Sequence, residues 1–357
     1  MPKSPRRCLI VQLEPRHEET LPSMVDAANR AGYAPVVMLS NRSKRRRGDI
    51  FAEVPGLHAD VRYEGFNDDS GLDRLTALAE SCDFVLMNSF NRRKSIDWAM
   101  GLKVPVIILV HSIDHFLDEP ATQAALANPR IQFLTLSAHV MSELIARIGK
   151  AHMDRVDVVE PCLWSVDDPK PAEGSPRRVA IPGAISLRTR DYPGLIRAVA
   201  QDRKRFEGYR FVLGSGGEDR EAIEAETKAK GLEPWFKYLP LSGDQVPQDV
   251  YMDSLRRAQV MLSLIPDDFD KYQKLKITSA VPTSVGFAVP LIMDRWSAAC
   301  YRAPLIAADH GLAASLERLV SLTEDELQAH RAALIAYRRA RLVENGRALA
   351  RLAGRVS

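Results

Sequence analysis

Two stretches of the chain carry side chains that could do chemistry, and each follows an apolar, strand-like run. In the first, His111 and Asp114 come directly after a run of valine, isoleucine and leucine. An imidazole or a carboxylate placed there could accept a proton from a hydroxyl group. In the second, Gly183 opens a loop that contains Arg188 and Arg190 and leads into an amphipathic stretch. Because free N–H groups at a helix N-terminus and guanidinium groups both attract anions, this second stretch predicts a phosphate site.

A further polar cluster lies in the last third of the chain. Lys274, Lys276, Thr278 and Ser279 precede Pro282, and proline is best tolerated in the first turn of a helix. Hydroxyl and ammonium groups just before a helix start would complete a site for a diphosphate. The alternative is that Ser279 only caps the helix and that the lysines are solvated surface groups.

Other strand ends offer weaker candidates. Gly214 and Gly216 follow a predicted strand, so the backbone there could approach a ribose or a phosphate, or could simply form a flexible turn. Asp294 could meet a sugar hydroxyl or cap the next helix. Glu14 and His17, which come after the first predicted strand, are further candidates for the base.

The elements that must position these groups alternate between strand and helix. Leu21, Met24, Ala28 and Ala31 form a helical stripe that ends at Gly32. The predicted strands are near-continuous apolar runs, which is typical of parallel strands buried on both faces. They lie at Cys8–Leu13, Ala34–Leu39, Asp83–Met87, Pro105–Val110, Ile131–Leu136, Val156–Val159, Val179–Pro182, Arg210–Leu213, Phe236–Leu239, Val260–Ile265 and Val289–Met293. The expected fold class is α/β, with two Rossmann-like, doubly wound domains facing a cleft.

The length of the chain favours two domains. It has 357 residues, more than the roughly 250 to 300 at which single cores stop growing. Residues 166–178 are rich in Pro, Asp and Lys and show no periodicity, so we place a linker there. We expect an N-terminal, acceptor-side domain at 1–165, a C-terminal, ligand-binding domain at 179–320 and C-terminal helices at 321–357.

Composition excludes several classes of protein. Hydrophobic residues make up 46% of the chain and charged residues 27%, which is typical of a soluble globular protein. The net charge of +3 is too small to indicate a nucleic-acid binder. Four separate cysteines without a Cys-x-x-Cys pair predict reduced, cytosolic thiols rather than zinc or disulfides. With no secretion signal and no apolar run near the roughly 20 residues of a membrane span, the expected location is cytoplasmic. No Gly-x-Gly-x-x-Gly follows the first strand, so no dinucleotide cofactor is expected.

Two basic runs follow strands of the first half. Each basic residue near an anionic surface contributes about 1 kcal/mol of attraction. The runs would therefore suit a lipid diphosphate, an acidic glycan or the inner face of a membrane, or they are solvated loops. They consist of Arg42, Lys44, Arg45, Arg46 and Arg47, and of Arg92, Arg93 and Lys94.

Taken together, these features resemble the GT-B glycosyltransferases. The likeness rests on two doubly wound halves, His111 after an apolar strand, a glycine and a basic loop opening the second half, and a late helix before Ala288-Val289-Pro290-Leu291-Ile292. In the retaining glycosyltransferase 4-like group, the second domain opens with Gly-Arg and a later Lys, which hold the donor diphosphate. In this chain Ala184 occupies the position of that Arg, and Arg188 and Arg190 lie near the position of that Lys. The resemblance implies that His111 contacts the donor sugar, and we therefore take Asp114 as the candidate base.

The chain departs from that group at one motif. The group carries two glutamates eight residues apart before Gly-Val-Pro, whereas residues 274–290 contain no glutamate. Thr283 stands where the second glutamate would contact the ribose. The identity of the donor and the stereochemical outcome therefore stay open.

The resemblance implies a hexosyltransferase of polysaccharide biosynthesis. It would move a sugar from a nucleoside diphosphate donor to a hydroxyl acceptor, either a glycan or a lipid-linked saccharide. We expect no metal, because Arg188, Arg190 and Lys276 could neutralise the leaving diphosphate. The alternatives are a sugar-nucleotide epimerase of the same fold and a non-catalytic protein that binds a glycan or a partner.

Overall fold

The computed structural model describes residues 6–14, 17–47, 49–51, 54, 56–64, 69–90, 93–163 and 176–355, without the side chains of residues 46, 47, 69, 70, 93 and 94. The chain divides into two compact units. Unit 1 comprises Met1–Trp164, Lys274–Ile277 and Arg339–Ser357, and unit 2 comprises Ser165–Gln273 and Thr278–Arg338.

Unit 1 is built on a seven-stranded sheet in which every pair of neighbouring strands is parallel, in the order β3-β2-β1-β4-β5-β6-β7. The central strands are mostly apolar and almost entirely buried, as expected for strands that are covered on both faces. The strands are β1 (Arg7–Gln12), β2 (Ala34–Ser40), β3 (Asp60–Glu64), β4 (Phe84–Met87), β5 (Val106–Val110), β6 (Ile131–Thr135) and β7 (Val156–Val158).

Helices cover both faces of this sheet and create two apolar cores. The first helix buries Leu21 and Met24 against the sheet, and the chain turns away at Gly32, whose φ of 83° suits glycine. The helices are α1 (Leu21–Arg30), α2 (Asn41–Arg47), α3 (Asp69–Glu80), α4 (Arg93–Gly101), α5 (Ile113–Asp118), α6 (Thr122–Ala127) and α7 (Ala138–Ile148), with 3₁₀ turns at Glu18–Thr20 and Lys150–Arg155.

Unit 2 contains a six-stranded parallel sheet in the order β10-β9-β8-β11-β12-β13. Tyr192, Phe206 and Phe211 fill the core on one face. The strands are β8 (Arg177–Ile181), β9 (Tyr209–Leu213), β10 (Phe236–Tyr238), β11 (Val260–Leu262), β12 (Leu291–Asp294) and β13 (Ile306–Ala308). The helices are α8 (Tyr192–Gln201), α9 (Arg220–Ala229), α10 (Gln248–Arg256), α11 (Lys271–Lys274), α12 (Ala280–Phe287), α13 (Arg295–Ala299), α14 (Leu312–Ser321) and α15 (Glu324–Gly354).

The last helix, α15, is 31 residues long and belongs to both units. In unit 2, Arg338 Nη1 donates a hydrogen bond of 2.6 Å to the carbonyl of Gly286. In unit 1, Leu349 and Leu352 lie in the same apolar core as the strands. Gly346 comes so near Arg30 that a Cβ at position 346 would lie 2.6 Å from the Arg30 Cβ. The end of the chain is therefore part of the core of unit 1.

The predicted fold class is confirmed, since both sheets are parallel and carry flanking helices. Sequence reasoning missed β3 and β13. The first alternates charged and apolar residues at a sheet edge, and the second has only three residues. The predicted linker ends at 178 and β8 begins at Arg177, so the two overlap by two residues, and the domain bounds stay a prediction. Residues 164–175, which include most of that linker, lie outside the described part of the chain.

Candidate active site

The loop after β8 brings three predicted ligand residues together. Gly183 has a φ of 96°, a left-handed conformation that favours glycine. A Cβ at this position would run into Arg190 Nη2 and would lie 3.0 Å from Ser279 Oγ. The Gly183 backbone, the Arg190 guanidinium and the Ser279 hydroxyl therefore meet at the carboxyl end of β8, where ligands bind in sheets of this type.

Arg190 is a buried cation, with only 2% of its surface exposed. It donates to the carbonyls of Pro182 (3.0 Å) and Thr189 (2.9 Å), while its Nε has no hydrogen-bond partner in the described part of the chain. The Tyr272 ring centroid lies 6.0 Å from its Cζ, at the outer limit of a cation–π contact. Among the described residues, no carboxylate lies within 4.0 Å of the guanidinium. Burying a charge without a counter-charge is costly, so this arrangement indicates an anion-binding site.

The start of α12 supplies the hydroxyl groups. Ser279 occupies the position before the helix but has helical backbone angles and makes no capping bond, so the capping alternative is wrong. Within the described chain, its hydroxyl makes no hydrogen bond. Thr278 is fully buried, and its N–H donates to Tyr301 Oη (3.1 Å). The Thr283 hydroxyl donates to the Ser279 carbonyl (2.7 Å) and thus serves the helix.

The two lysines before α12 lie in a different unit from the hydroxyl groups. Lys274 and Lys276 belong to the segment that packs in unit 1, whereas Thr278 and Ser279 belong to unit 2. The Leu275 carbonyl accepts a hydrogen bond of 3.0 Å from Ile113 N. The structure therefore assigns the four residues to two units, and their shared role in binding a diphosphate stays a prediction.

Packing against other parts of the protein explains why glycine occupies two positions after β9. A Cβ on Gly216 would collide with the Asp244 carbonyl, and a Cβ on Gly214 would lie 3.0 Å from the Tyr251 ring. The Gly216 carbonyl also accepts a hydrogen bond from Ile185 N (3.0 Å), which joins this loop to the loop after β8. The close approach made by these glycines is to protein, and a contact with ribose or phosphate stays a prediction.

Two further candidates differ in their surroundings. Arg188 is exposed, unlike Arg190 in the same loop. The Asp294 carboxylate accepts a hydrogen bond of 2.9 Å from Ser297 N. Asp294 therefore caps α13, which was one of its two predicted roles.

In unit 1, His111 follows β5 directly. Its Nε2 lies 2.6 Å from the carbonyl oxygen of Asn88, and since a carbonyl can only accept, Nε2 carries the proton. Burial, followed by the neighbouring His17, lowers the pKa of His111 to about 3. The ring is therefore neutral near pH 7, and its Nδ1 has a lone pair that can accept a hydrogen bond.

His17 stacks on His111, with ring centroids 4.0 Å apart and planes 17° from parallel. Its backbone has a φ of 66°, an uncommon conformation for a residue with a side chain. The His17 carbonyl accepts hydrogen bonds from Thr20 Oγ1 (2.8 Å) and Asn88 Nδ2 (3.2 Å), which hold the loop in place. Backbone strain of this kind is typical of functional sites.

Glu19 completes this cluster and was missed by sequence reasoning. Its Oε1 lies 3.5 Å from His17 Nδ1. Burial opposes ionisation, but the hydrogen bond and the charge of His17 lower the pKa of Glu19 to about 2. A carboxylate beside Nδ1 can orient the ring and stabilise its protonated form. Only the spacing His17-x-Glu19 in the loop after β1 could have indicated the pair.

Asp114, the predicted base, lies in the first turn of α5. Its carboxylate is 3.4 Å from Arg147 Nη1, and Arg147 also pairs with Glu143 at 2.8 Å. Asp114 thus belongs to a partly exposed ion-pair cluster on α5 and α7. Its role as a base stays a prediction.

The described residues show neither a metal cluster nor a membrane span. They contain no group of three His, Cys, Asp or Glu side chains placed to hold a metal ion. Asp268-Phe269-Asp270 follows β11 and is an Asp-x-Asp sequence that sequence reasoning missed. In the described chain, no helix has the length and apolar character needed to cross a bilayer.

The first basic run forms α2. Arg42, Lys44 and Arg45 are exposed, and Lys44 Nζ lies 4.9 Å from the centre of the Tyr63 ring. The side chains of the rest of this run and of the second run lie outside the described part; these residues are Arg46, Arg47, Arg92, Arg93 and Lys94.

No protein-family model matches the chain, and no curated protein matches it in sequence. Solved structures do match. Anabaena HepE, in complex with UDP and glucose, is 12% identical with a TM-score of 0.65, over 97% of this chain and 98% of that one. Arabidopsis thaliana UGT89C1, complexed with UDP, is 12% identical with a TM-score of 0.55, over 99% and 100%. A Listeria monocytogenes protein described as a UDP-N-acetylglucosamine 2-epimerase is 12% identical with a TM-score of 0.53, over 93% and 91%. The chain therefore has the GT-B fold, with two Rossmann-like α/β domains, as the sequence predicts.

Proposed function

We propose that the protein is a glycosyltransferase that moves a sugar from a nucleoside diphosphate donor to a hydroxyl acceptor. The observation that carries this proposal is Arg190, a buried cation without a carboxylate partner among the described residues, beside Ser279 and the Gly183 turn. A diphosphate supplies the missing negative charge. The UDP bound in the HepE and UGT89C1 structures supports a nucleoside diphosphate as the ligand.

In unit 2, Arg190 and Ser279 bind the diphosphate, and Gly183 allows them to approach the backbone. Arg188, which is exposed, adds positive charge near the ligand. Predicted residues with weaker support from the geometry keep their proposed roles in donor binding. These are Gly214, Gly216, Lys274, Lys276, Thr278 and Thr283.

In unit 1, His17 is the general base. Glu19 orients its ring, and Nε2 takes the proton from the acceptor hydroxyl. The acceptor oxygen then forms a bond to the anomeric carbon, while the bond to the diphosphate breaks and its electron pair leaves with the phosphate oxygen. This direct displacement inverts the anomeric configuration. His111 accepts a hydrogen bond from a donor-sugar hydroxyl through Nδ1, and Asp114 remains the second candidate for the base.

The cations stabilise the leaving diphosphate, so we propose a reaction that needs no metal ion. The acceptor is a glycan or a lipid-linked saccharide, and the transferred group is a hexose. The exposed basic side chains of α2 (Arg42, Lys44 and Arg45) support an anionic acceptor or contact with an anionic membrane surface.

The experiment is a donor screen with purified protein. UDP-, GDP-, ADP- and dTDP-sugars are incubated with and without hydroxyl acceptors, in the presence and absence of a chelator. Release of the nucleoside diphosphate that depends on an acceptor and persists with the chelator supports the proposal. The likeness to the Listeria protein favours one second candidate, an epimerase, which would convert the sugar without an acceptor. Binding without any turnover would instead indicate a non-catalytic binding protein.

A further inference from the structure

Tyr301 lies just after α13 and carries a hydroxyl with two partners in unit 2. The hydroxyl accepts a hydrogen bond from Thr278 N (3.1 Å) and donates one to the carbonyl of Tyr272 (3.1 Å). Both partner residues are buried. A single hydroxyl thus joins the segment before α12 to the short helix α11.

The two partners of Tyr301 are neighbours of the anion site. Thr278 directly precedes Ser279, whose hydroxyl faces Gly183. Tyr272 places its ring near the Arg190 guanidinium. The Tyr301 hydroxyl bonds to a backbone N–H of Thr278 and to a backbone carbonyl of Tyr272. It can therefore fix the backbone at both residues.

We infer that Tyr301 is a positioning residue for the diphosphate site, a role that rests on the proposed function. It contacts neither Arg190 nor Ser279 in the described hydrogen-bond network. It acts by fixing the backbone of Thr278 and Tyr272, and so the distance between the Ser279 hydroxyl and the guanidinium. Since a fixed site loses less entropy when it binds an anion, its hydroxyl increases affinity for the phosphates of the ligand.

The test replaces Tyr301 by Phe, which removes the hydroxyl and keeps the ring. UDP and inorganic pyrophosphate are the two probes, and calorimetry measures their affinities. We expect both to bind about three- to tenfold more weakly, as is typical when hydrogen bonds that organise a site are lost. Tyr238→Phe is the matched control, because the Tyr238 hydroxyl also has two partners, Thr227 Oγ1 (3.1 Å) and the Ile223 carbonyl (3.2 Å). The control should leave both affinities unchanged.

A double-mutant cycle distinguishes positioning from a general loss of stability. If Tyr301 acts through Ser279, Tyr301→Phe should cost less affinity in a Ser279→Ala background than in the wild type. Additive effects, or equal effects of Tyr301→Phe and Tyr238→Phe, would overturn the inference. Should Tyr301→Phe fail to fold, hydrogen exchange at the Thr278 amide of the wild-type protein decides. UDP should slow this exchange, and an unchanged rate would count against the role.

Failure of this inference differs from failure of the proposed function. If the wild-type protein binds neither UDP nor pyrophosphate, the proposed function is wrong. If the wild type binds both and Arg190→Met weakens binding, but Tyr301→Phe does not, only the role of Tyr301 is wrong.

Discussion

Replacing Arg190 by Met should separate ligand binding from folding. Met keeps an apolar stem of similar length and removes the charge. The carbonyls of Pro182 and Thr189 then lose their hydrogen bonds, a loss of about 1.5–3 kcal/mol for each charged donor. Burial of a guanidinium without a carboxylate partner costs several kcal/mol in the wild type, and the substitution removes this cost. The free energy of unfolding without ligand should therefore change by no more than about 1–2 kcal/mol in either direction.

Binding should change much more. Two charge-assisted hydrogen bonds to a diphosphate contribute about 3 kcal/mol or more, which corresponds to at least about 100-fold in affinity. UDP at about 100 times its Kd stabilises a protein by about 2.7 kcal/mol, and after a 100-fold loss of affinity the same concentration adds only about 0.4 kcal/mol. For a chain of 357 residues, whose unfolding entropy is about 0.75 kcal/mol/K, the increase in Tm on adding UDP should fall from about 4 °C to about 0.5 °C.

Thermal unfolding with and without UDP, supported by calorimetry, measures both effects. Arg188→Met is the control, because it removes an exposed charge from the same loop. It should weaken UDP binding by no more than about fivefold, since exposed ion pairs contribute about 1 kcal/mol or less. If Arg190→Met binds UDP within about threefold of wild type, Arg190 does not hold the diphosphate and the reasoning fails.

Four other variants test separate parts of the structure. His17→Ala should lower kcat about 10²- to 10⁴-fold with little change in donor affinity, and a normal kcat would exclude His17 as the base. The pKa of His111 is lowered to about 3. Below about pH 6.5 the unfolded state therefore binds a proton that the folded state does not bind. The free energy of unfolding should fall by up to about 1.4 kcal/mol per pH unit between pH 6.5 and 4. Urea unfolding of His111→Asn over this range should show a smaller decline, and an identical pH dependence would refute the assignment. Gly216→Ala should destabilise the protein by about 1–3 kcal/mol through its collision with the Asp244 carbonyl, whereas unchanged urea unfolding would show that the loop can shift. Leu349→Ala should cost about 2–5 kcal/mol because this side chain is fully buried, and an unchanged unfolding midpoint would show that the end of the chain is not needed for the core of unit 1.

The sequence predicted the sheets well because their strands are apolar on both faces. Continuous runs rich in valine and isoleucine, such as Val106–Val110, are typical of strands in a covered sheet. Edge strand β3 was missed because charged residues alternate with its apolar ones. It forms a strand through its pairing with β2, which its composition does not indicate. Local pattern therefore identified the interior of each sheet but not its margin.

The candidate site was harder to predict because its members meet through tertiary contacts. Gly183 and Arg190 are close in sequence, so their proximity in the loop after β8 could be predicted there, and their role in binding an anion stays a prediction. The partnership of His17 with His111 was not visible, since it depends on the strand order that places β1 and β5 on either side of β4. The exposure of Arg188 and the burial of Arg190, two residues apart, could likewise be decided only by how the loop packs.

The path of α15 has a consequence for synthesis on the ribosome. Ala348, Leu349, Leu352 and Ala353 complete a core whose other members come from the first 163 residues and from Ile277. Proteins are made from the N-terminus, and domains usually fold in that order. Here the first unit to emerge must wait for the last turns of the final helix, so its nascent form exposes apolar surface while the second unit is still being translated.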